Sequence, residues 1–413
     1  MNTEVLMEPV TQIVSLKCYR EDILSALTLA KAVVEKRTTI PILWAVRITA
    51  GSSHAVLVGT DLDFWVRHPF ATNGDASDFD IVVSHASLLA LVKAAPKGCE
   101  VALSYDRAEE PSEGYKLTLR IGGQTATLDT FPVGDWPDDY VMGNTKTTFT
   151  VDTAAFAKDL RTTRTAVSTE ETRHCLNGVF LREAVGKLWM VATDGHRMVK
   201  TLHGELPAKE GVTDVIVPTK MVNAWLALLE VKRGLKTGKA AEPARAQVTV
   251  TDKRALRLEV GGVVIEGTSV DGSFPDYERI IPHAKHMPLT ITVNRKDMIE
   301  ATKRVAAIRR ERGAAVNLIV ENSERIELEV KHPKAGATSV GLDAVVEGAP
   351  EKCVGAAGLK IGFSAAYVVS LLDVLDCDRV TFLLQDAVSP ILINGYGREA
   401  VTMVLAPWPT RNK

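Results

Sequence analysis

VIVPTKMVNAWLALL at 215–229 reads as a β-branched strand, Val215-Ile216-Val217, running through Pro218 into an amphipathic helix. The same arrangement occurs at Ile81-Val82-Val83-Ser84 with SLLALVKAA at 87–95, and at Ile361-Gly362-Phe363-Ser364 with YVVSLLDVL at 367–375. Ser suits such a helix start as an N-cap, and Pro suits the first turn. The starts fall at 84, 218 and 364, so the chain repeats with a period of about 140 residues.

Other landmarks keep that register. Val58-Gly-Thr-Asp61 recurs as Val191-Ala-Thr-Asp194, and the Gly122-Gly123 turn between KLTLRI and TATL recurs as Gly261-Gly262 between LRLEV and VVIEG. A proline-aromatic-acid segment closes two of the units, FPVGDWPDDY at 131–140 and FPDYERIIP at 274–282. Each unit also opens with a helical pattern, expected over Asp22–Lys36, Asp152–Ser168 and Asn294–Arg310. Period-2 strands with two helices per unit predict an α+β fold, antiparallel sheets carrying helices on one face. Polar, Pro-containing segments near Thr147 and His286 divide the chain into 1–146, 147–286 and 287–413.

Composition narrows the function. With 49 Lys+Arg against 51 Asp+Glu the net charge is -2, which excludes a uniformly basic, DNA-coating protein. The start, MNTEVLMEPV, lacks a basic region followed by an apolar run, and no stretch has the length of a membrane span. The five cysteines are odd in number, widely spaced and without a C-x-x-C pair, so neither a disulfide framework nor a zinc site is expected. The expectation is a cytoplasmic protein with no cofactor, no metal and no membrane partner.

The positive charge is patterned. In the second unit's opening helix Phe156, Leu160, Thr163 and Val167 share one face, which puts Lys158, Arg161 and Arg164 on the flank and far side. In the third unit Met298, Thr302 and Val305 mark the buried stripe, with Lys296, Lys303 and Arg310 nearly opposite. Lys31, Lys36 and Arg37 end the first helix of unit one, and Lys220, Lys232 and Arg233 flank the second helix of unit two. A single such face is ordinarily just solvated. Repeated on equivalent helices and brought to one surface, these faces would form a phosphate-binding track. The faces carry no interleaved aromatics, so contact would be to the DNA backbone and blind to sequence.

Leu-Asn-Gly at 176–178, VATDGHRM at 191–198, VIVP at 215–218 and VDGSFPDY at 270–277 together resemble the bacterial DNA polymerase III beta subunit (sliding clamp) family. RTTIPIL at 37–43, TDLD at 60–63, and IGF at 361–363 with Tyr367 extend the resemblance over nearly the whole chain. It implies three clamp-type domains, with antiparallel sheets outside and paired helices inside, in a head-to-tail ring dimer around double-stranded DNA. The implied function is a processivity factor with no catalytic residues, tethering DNA polymerase and clamp-loader subunits through short linear motifs. Arg37 and Arg173 fall at family positions that contact DNA. The implied peptide cleft comprises Leu176, Thr193, Gly195, His196, Arg197, Met198, Pro275, Arg279, Ile280, Tyr367, Val404, Leu405, Ala406, Pro407 and Trp408. Ala126 and Leu128 on one side, with Ile308 and Arg309 on the other, match the protomer contact.

Departures from the family pattern carry expectations of their own. Glu170, His174 and Cys175 stand where the family often has a polar amide and two aromatics, and a carboxylate there should weaken phosphate contact. Ala406, Trp408 and Pro409 alter a cleft wall, so a consensus partner peptide should bind with changed affinity. Ala and Arg in place of large apolar interface residues should remove on the order of 2–4 kcal/mol per interface. That altered contact keeps open a specialised clamp paralogue or decoy that does not encircle DNA efficiently. An enzyme using Asp194, His196 and Asp276 is the remaining alternative; it lacks a nucleophile motif and a metal-ligand pattern, and no phosphate-binding G-x-x-x-x-G-K-[ST] loop occurs.

Overall fold

The computed structural model describes residues 12–35, 38–51, 54–74, 76, 78–107, 114–206, 214–231, 244–308, 315–332, 336–348, 359–396 and 398–408. Within them lie six helices: α1 (Arg20–Ala30), α2 (His85–Ala94), α3 (Thr153–Arg164), α4 (Thr219–Val231), α5 (Arg295–Ala306) and α6 (Ala365–Asp373). Two fall in each sequence repeat, and the α1, α3 and α5 starts lie within two residues of expectation. Their ordered turns end earlier than the periodicity suggested, at Ala30, Arg164 and Ala306.

The helix ends show how the repeat is built. Arg20 and Arg295, each the first residue of its helix, reach across to bond carbonyls at or just beyond the end of the neighbouring helix. Arg20 donates to Val92 O at 3.0 Å and Lys93 O at 2.9 Å, and Arg295 donates to Cys377 O at 2.7 Å and Leu372 O at 3.1 Å. A guanidinium there satisfies carbonyls that the helix cannot, and its charge suits a helix C-terminus. The second repeat has Thr153 at this position. Ser84 caps α2 as expected, its side chain accepting from Ser87 N; Ser364 makes no such bond, a departure from the reading of both serines as caps. Asn294 caps α5 instead, accepting from Lys296 N and Asp297 N.

The chain forms two compact units, 1–154 with 223–269 and 155–222 with 270–413. Among the described residues, the first contains a twelve-stranded antiparallel sheet. Its strands run in the order Ile13–Tyr19, Glu100–Asp106, Lys116–Ile121, Gln124–Phe131, Asp80–Ser84, Ala45–Ala50, His54–Thr60, Phe64–Ala71, Val263–Thr268, Ala255–Val260, Arg245–Thr251, Thr145–Asp152. The second unit contains another twelve-stranded sheet, in the order Val215–Pro218, Gly178–Ala184, Lys187–Thr193, Arg197–Glu205, Arg398–Leu405, Ile391–Gly395, Arg379–Leu384, Leu289–Asn294, Gly336–Gly348, Arg325–His332, Ala315–Val320, Lys360–Ser364. The middle repeat is therefore shared, with four of its strands hydrogen-bonded into each sheet.

Two strand junctions join the repeats, one per unit. In the first, Phe64–Ala71 pairs with Val263–Thr268, placing Phe64 opposite Gly267 and Arg67 opposite Val264. In the second, Arg197–Glu205 pairs with Arg398–Leu405, placing Arg197 opposite Leu405 and Lys200 opposite Thr402. Both Gly-Gly hairpin turns have paired positive φ, 56° and 83° at Gly122-Gly123 and 55° and 79° at Gly261-Gly262. Two adjacent left-handed residues make a type I′ turn, whose twist matches the flanking strands and which glycine adopts without steric cost.

The helices bury the stripes read from sequence. Phe156, Leu160 and Thr163 on α3 are fully enclosed, as are Met298, Thr302 and Val305 on α5. No described helix is long and apolar enough to cross a membrane.

Candidate functional site

The turn Thr193–Arg197 is closed by its own side chains. Thr193 Oγ1 accepts from Gly195 N at 3.1 Å and donates to Arg197 O at 2.8 Å. Asp194 Oδ1 accepts from His196 N and Arg197 N, both at 2.9 Å, while Oδ2 accepts from Arg197 Nε at 3.1 Å. This bonding allows Gly195 its φ of 85° and leaves His196 projecting into solvent. The Asp194 carboxylate is thus engaged in shaping the loop, and Asp276 pairs with Arg279 at 2.7 Å. Among the described residues no group of three or more His, Cys, Asp or Glu is arranged to hold a metal ion.

The loop assembles a wall with α6 and the chain's last strand. The Arg197 guanidinium lies 4.7 Å from the Tyr367 ring centroid and donates to Ser370 Oγ, which itself donates to Tyr367 O at 2.8 Å. His196 stacks near Tyr367 with centroids 6.0 Å apart, and the Trp408 ring lies 6.4 Å from it. Backbone bonds fix the tail in place: Ala406 N donates to His196 O and Trp408 N to Gly362 O, each at 2.8 Å. Burial, and then the Asp194 charge, raise the Tyr367 pKa, so the phenol stays a neutral donor through the physiological range.

Beside this polar wall lies an apolar floor. Met198 and Val404 face each other across the strand pair and pack with Phe180, Val191, Ile216, Tyr277 and Leu392. Phe274 stacks on Phe180 at 4.8 Å, so the proline-aromatic-acid segment lies on the same cluster. Pro275, Arg279 and Ile280 follow from that segment as exposed positions, Ile280 retaining 47% of its surface. Leu176 is buried at the end of the 3-10 turn Glu171–Leu176, and Leu405 is fully buried in the core. Sequence reasoning missed Phe180 and Ser370. Phe180 reads as one more strand apolar, and Ser370 as a break in a greasy helix, so neither carries a sequence signal.

The basic residues are less uniformly placed. Arg173 bonds Glu170 at 3.1 Å and reaches Asp194 O at 3.4 Å, so it touches the cleft loop. Lys158 pairs with Asp376 at 3.0 Å. Arg164, Lys296 and Lys303 are exposed, while Arg161 and Lys220 are half-buried. Lys36, Arg37, Lys232, Arg233, Arg309, Arg310 and Pro409 lie outside the described residues. Ala126, Leu128 and Ile308 are each partly buried.

A threefold α+β repeat whose middle member gives four strands to each of two antiparallel sheets defines a clamp-type protein. The chain belongs to the bacterial DNA polymerase III beta subunit family. It matches that family's N-terminal domain over residues 14–140, its central domain over 150–276 and its C-terminal domain over 278–409. The beta sliding clamp of Caulobacter vibrioides is 31% identical over 398 residues, covering 94% of this chain and 98% of the relative. The clamp of Escherichia coli K12 is 27% identical over 395 residues. Among solved structures, a sliding clamp from Bartonella birtlesii bound to griselimycin superposes with a TM-score of 0.84 at 30% identity, covering 96% of this chain and 100% of that one. A Caulobacter crescentus clamp superposes with a TM-score of 0.83 at 29% identity. The function is accordingly that of a DNA polymerase sliding clamp, and no comparison supports the decoy alternative.

Proposed function

We propose that two copies of this chain close head to tail into a ring around duplex DNA, with one peptide cleft per protomer. The observation that carries the cleft is the Thr193–Arg197 loop, braced by Asp194 and crossed by Arg197 onto Tyr367 beside the Met198–Val404 floor. An extended partner segment would seat a Leu or Phe on that floor and donate or accept hydrogen bonds along the polar wall. Polymerase and clamp-loader subunits, bearing such motifs, are the partners this cleft fits.

The DNA-facing set in this reading is Arg37, Arg173, Lys158, Arg161, Arg164, Lys220, Lys296, Lys303 and Arg310, acting on phosphates without reading sequence. The Glu170–Arg173 pair lowers the charge Arg173 offers to a phosphate, in line with loose holding by topology. Domains 1–146, 147–286 and 287–413 correspond to the three repeats, and the ring closes through Ala126 and Leu128 against Ile308 and Arg309. The protein works in the cytoplasm, and a separate ATPase opens the ring.

Loading on nicked circular duplex tests the ring: the protein should remain bound at high salt and be lost when the circle is linearised. Equal loss from circular and linear DNA overturns encirclement. Calorimetric titration with an extended Leu- and Phe-bearing peptide tests the cleft separately, and absence of binding by the folded protein overturns it.

A further inference from the structure

The first unit holds a cavity of about 510 Å³ that the clamp reading leaves without a role. It lies between the C-terminal end of α1, the outer face of α2 and the 3-10 turn Pro41–Trp44. The floor is apolar, from Val34 and Leu89, and small residues of α2, Ala86 and Ala90, keep it open. Trp44 forms a wall and keeps 43% of its surface exposed. The outer face of α2 is unusually bare, with Ala86, Ser87, Ala90 and Ala94 all exposed.

Charge at the cavity favours one class of occupant. Lys31 and Lys93, both exposed, line it from the two helices, against a single carboxylate, Glu35. A flat aromatic wall with two ammonium groups matches a nucleotide: a planar base to stack, and phosphates on either side of it. The volume falls in the range of small-ligand sites and suits one base rather than a duplex. The aromatic comes from the turn before the next strand, and only folding brings it beside Lys31 and Lys93.

We propose that this cavity is a single-stranded DNA site, taking one unpaired base against Trp44 with the adjoining phosphates on Lys31 and Lys93. It goes beyond duplex encirclement, because it engages a strand whose bases are free.

The test uses the full-length protein and fluorescein-labelled mixed-sequence octanucleotides, too short to be held topologically, read by anisotropy at low salt. Trp44→Ala should weaken binding at least fivefold and Trp44→Phe should retain most of it. Lys31→Ala combined with Lys93→Ala should weaken binding and flatten its logarithmic salt dependence by about 1.4, the value for two phosphates on a single strand. Retention on nicked circular duplex should be unchanged in Trp44→Ala and Trp44→Phe, which separates this site from the ring. In wild-type protein, an octanucleotide carrying 5-iododeoxyuridine should crosslink on irradiation to the peptide containing Trp44. Unchanged octanucleotide affinity in Trp44→Ala, or crosslinks mapping only elsewhere, would overturn the proposal.

Discussion

The two strand junctions share a backbone and differ in chemistry. Thr60 and Thr193 each accept from the amide two residues on, at 2.9 and 3.1 Å. Asp61 and Asp194 each take two further amides on one oxygen. The following strands pair with an incoming strand in the same register, and Thr268 N donates to Asp63 O as Ala406 N donates to His196 O. Where the second junction has Gly195, His196 and Arg197, the first has Leu62, Asp63 and Phe64. The first buries Phe64 and sets Trp65 edge-on to Trp136 at 6.4 Å. It is tied by Arg67, which bonds buried Glu266 at 3.1 Å and Asp139 at 3.0 Å. The second has Lys200 at the matching position, lying over Trp189 at 4.3 Å and Tyr277 at 5.3 Å. One repeat device thus serves as a lock in the first unit and, in the second, braces the loop to which the proposed peptide cleft is assigned.

Breaking the lock should have the largest effect. Arg67→Ala leaves Glu266, 6% exposed, without its guanidinium partner and should cost about 3 kcal/mol in urea denaturation. Lys200→Ala should cost only about 1 kcal/mol, since it removes cation–π contact and no buried charge partner. Equal losses would mean the junctions are built alike.

Arg197→Ala should lower affinity for a Leu- and Phe-bearing peptide by about 2 kcal/mol, measured by calorimetry, through loss of the brace on Tyr367 and Ser370. Its repeat counterpart, Phe64→Ala, should leave that affinity unchanged while lowering stability. Trp408→Ala should change peptide affinity by about 1 kcal/mol, the worth of one aromatic pairing.

The backbone offers a finer comparison. Leu62 has a φ of 81° where Gly195 has 85°, so a leucine occupies a conformation that glycine adopts without steric cost. Leu62→Gly should stabilise the protein by up to about 1 kcal/mol, offset by greater freedom in the unfolded chain. Gly195→Ala should destabilise it, because a φ of 85° strains any residue with a Cβ.

The smallest effect is in pH. Burial lowers the Lys200 pKa, so the folded chain loses this proton before the unfolded chain does. Stability should therefore rise slightly with pH between the folded value and the ordinary lysine value, and Lys200→Met should abolish the rise. Arg67, whose partners raise its pKa, gives no such window.

Much of the fold was legible because it is periodic. The buried stripes of α3 and α5, the Gly-Gly turns and the Val-Gly-Thr-Asp recurrence all follow from local spacing. The candidate cleft was legible mainly where its residues are contiguous, at 193–198 and 404–408. Phe180, Ser370 and the pairings of Arg173 with Glu170 and Lys158 with Asp376 were not, because each depends on a partner far away in the chain or on which way a side chain turns. Trp44 was missed for the same reason, since it lies outside the helical pattern that marked the basic faces.

By itself the sequence determined a threefold α+β repeat, the family to which it belongs and the Thr193–Arg197 loop. These rest on local periodicity and on contiguous motifs, which survive without knowing what packs where. The tertiary structure decided that the middle repeat divides its strands between two sheets, that equivalent junctions carry different side-chain contacts, and that Trp44 lines one cavity with two lysines. Each of those outcomes comes from side chains brought together by strand pairing, and the identity of the neighbour, not the residue alone, sets its chemistry.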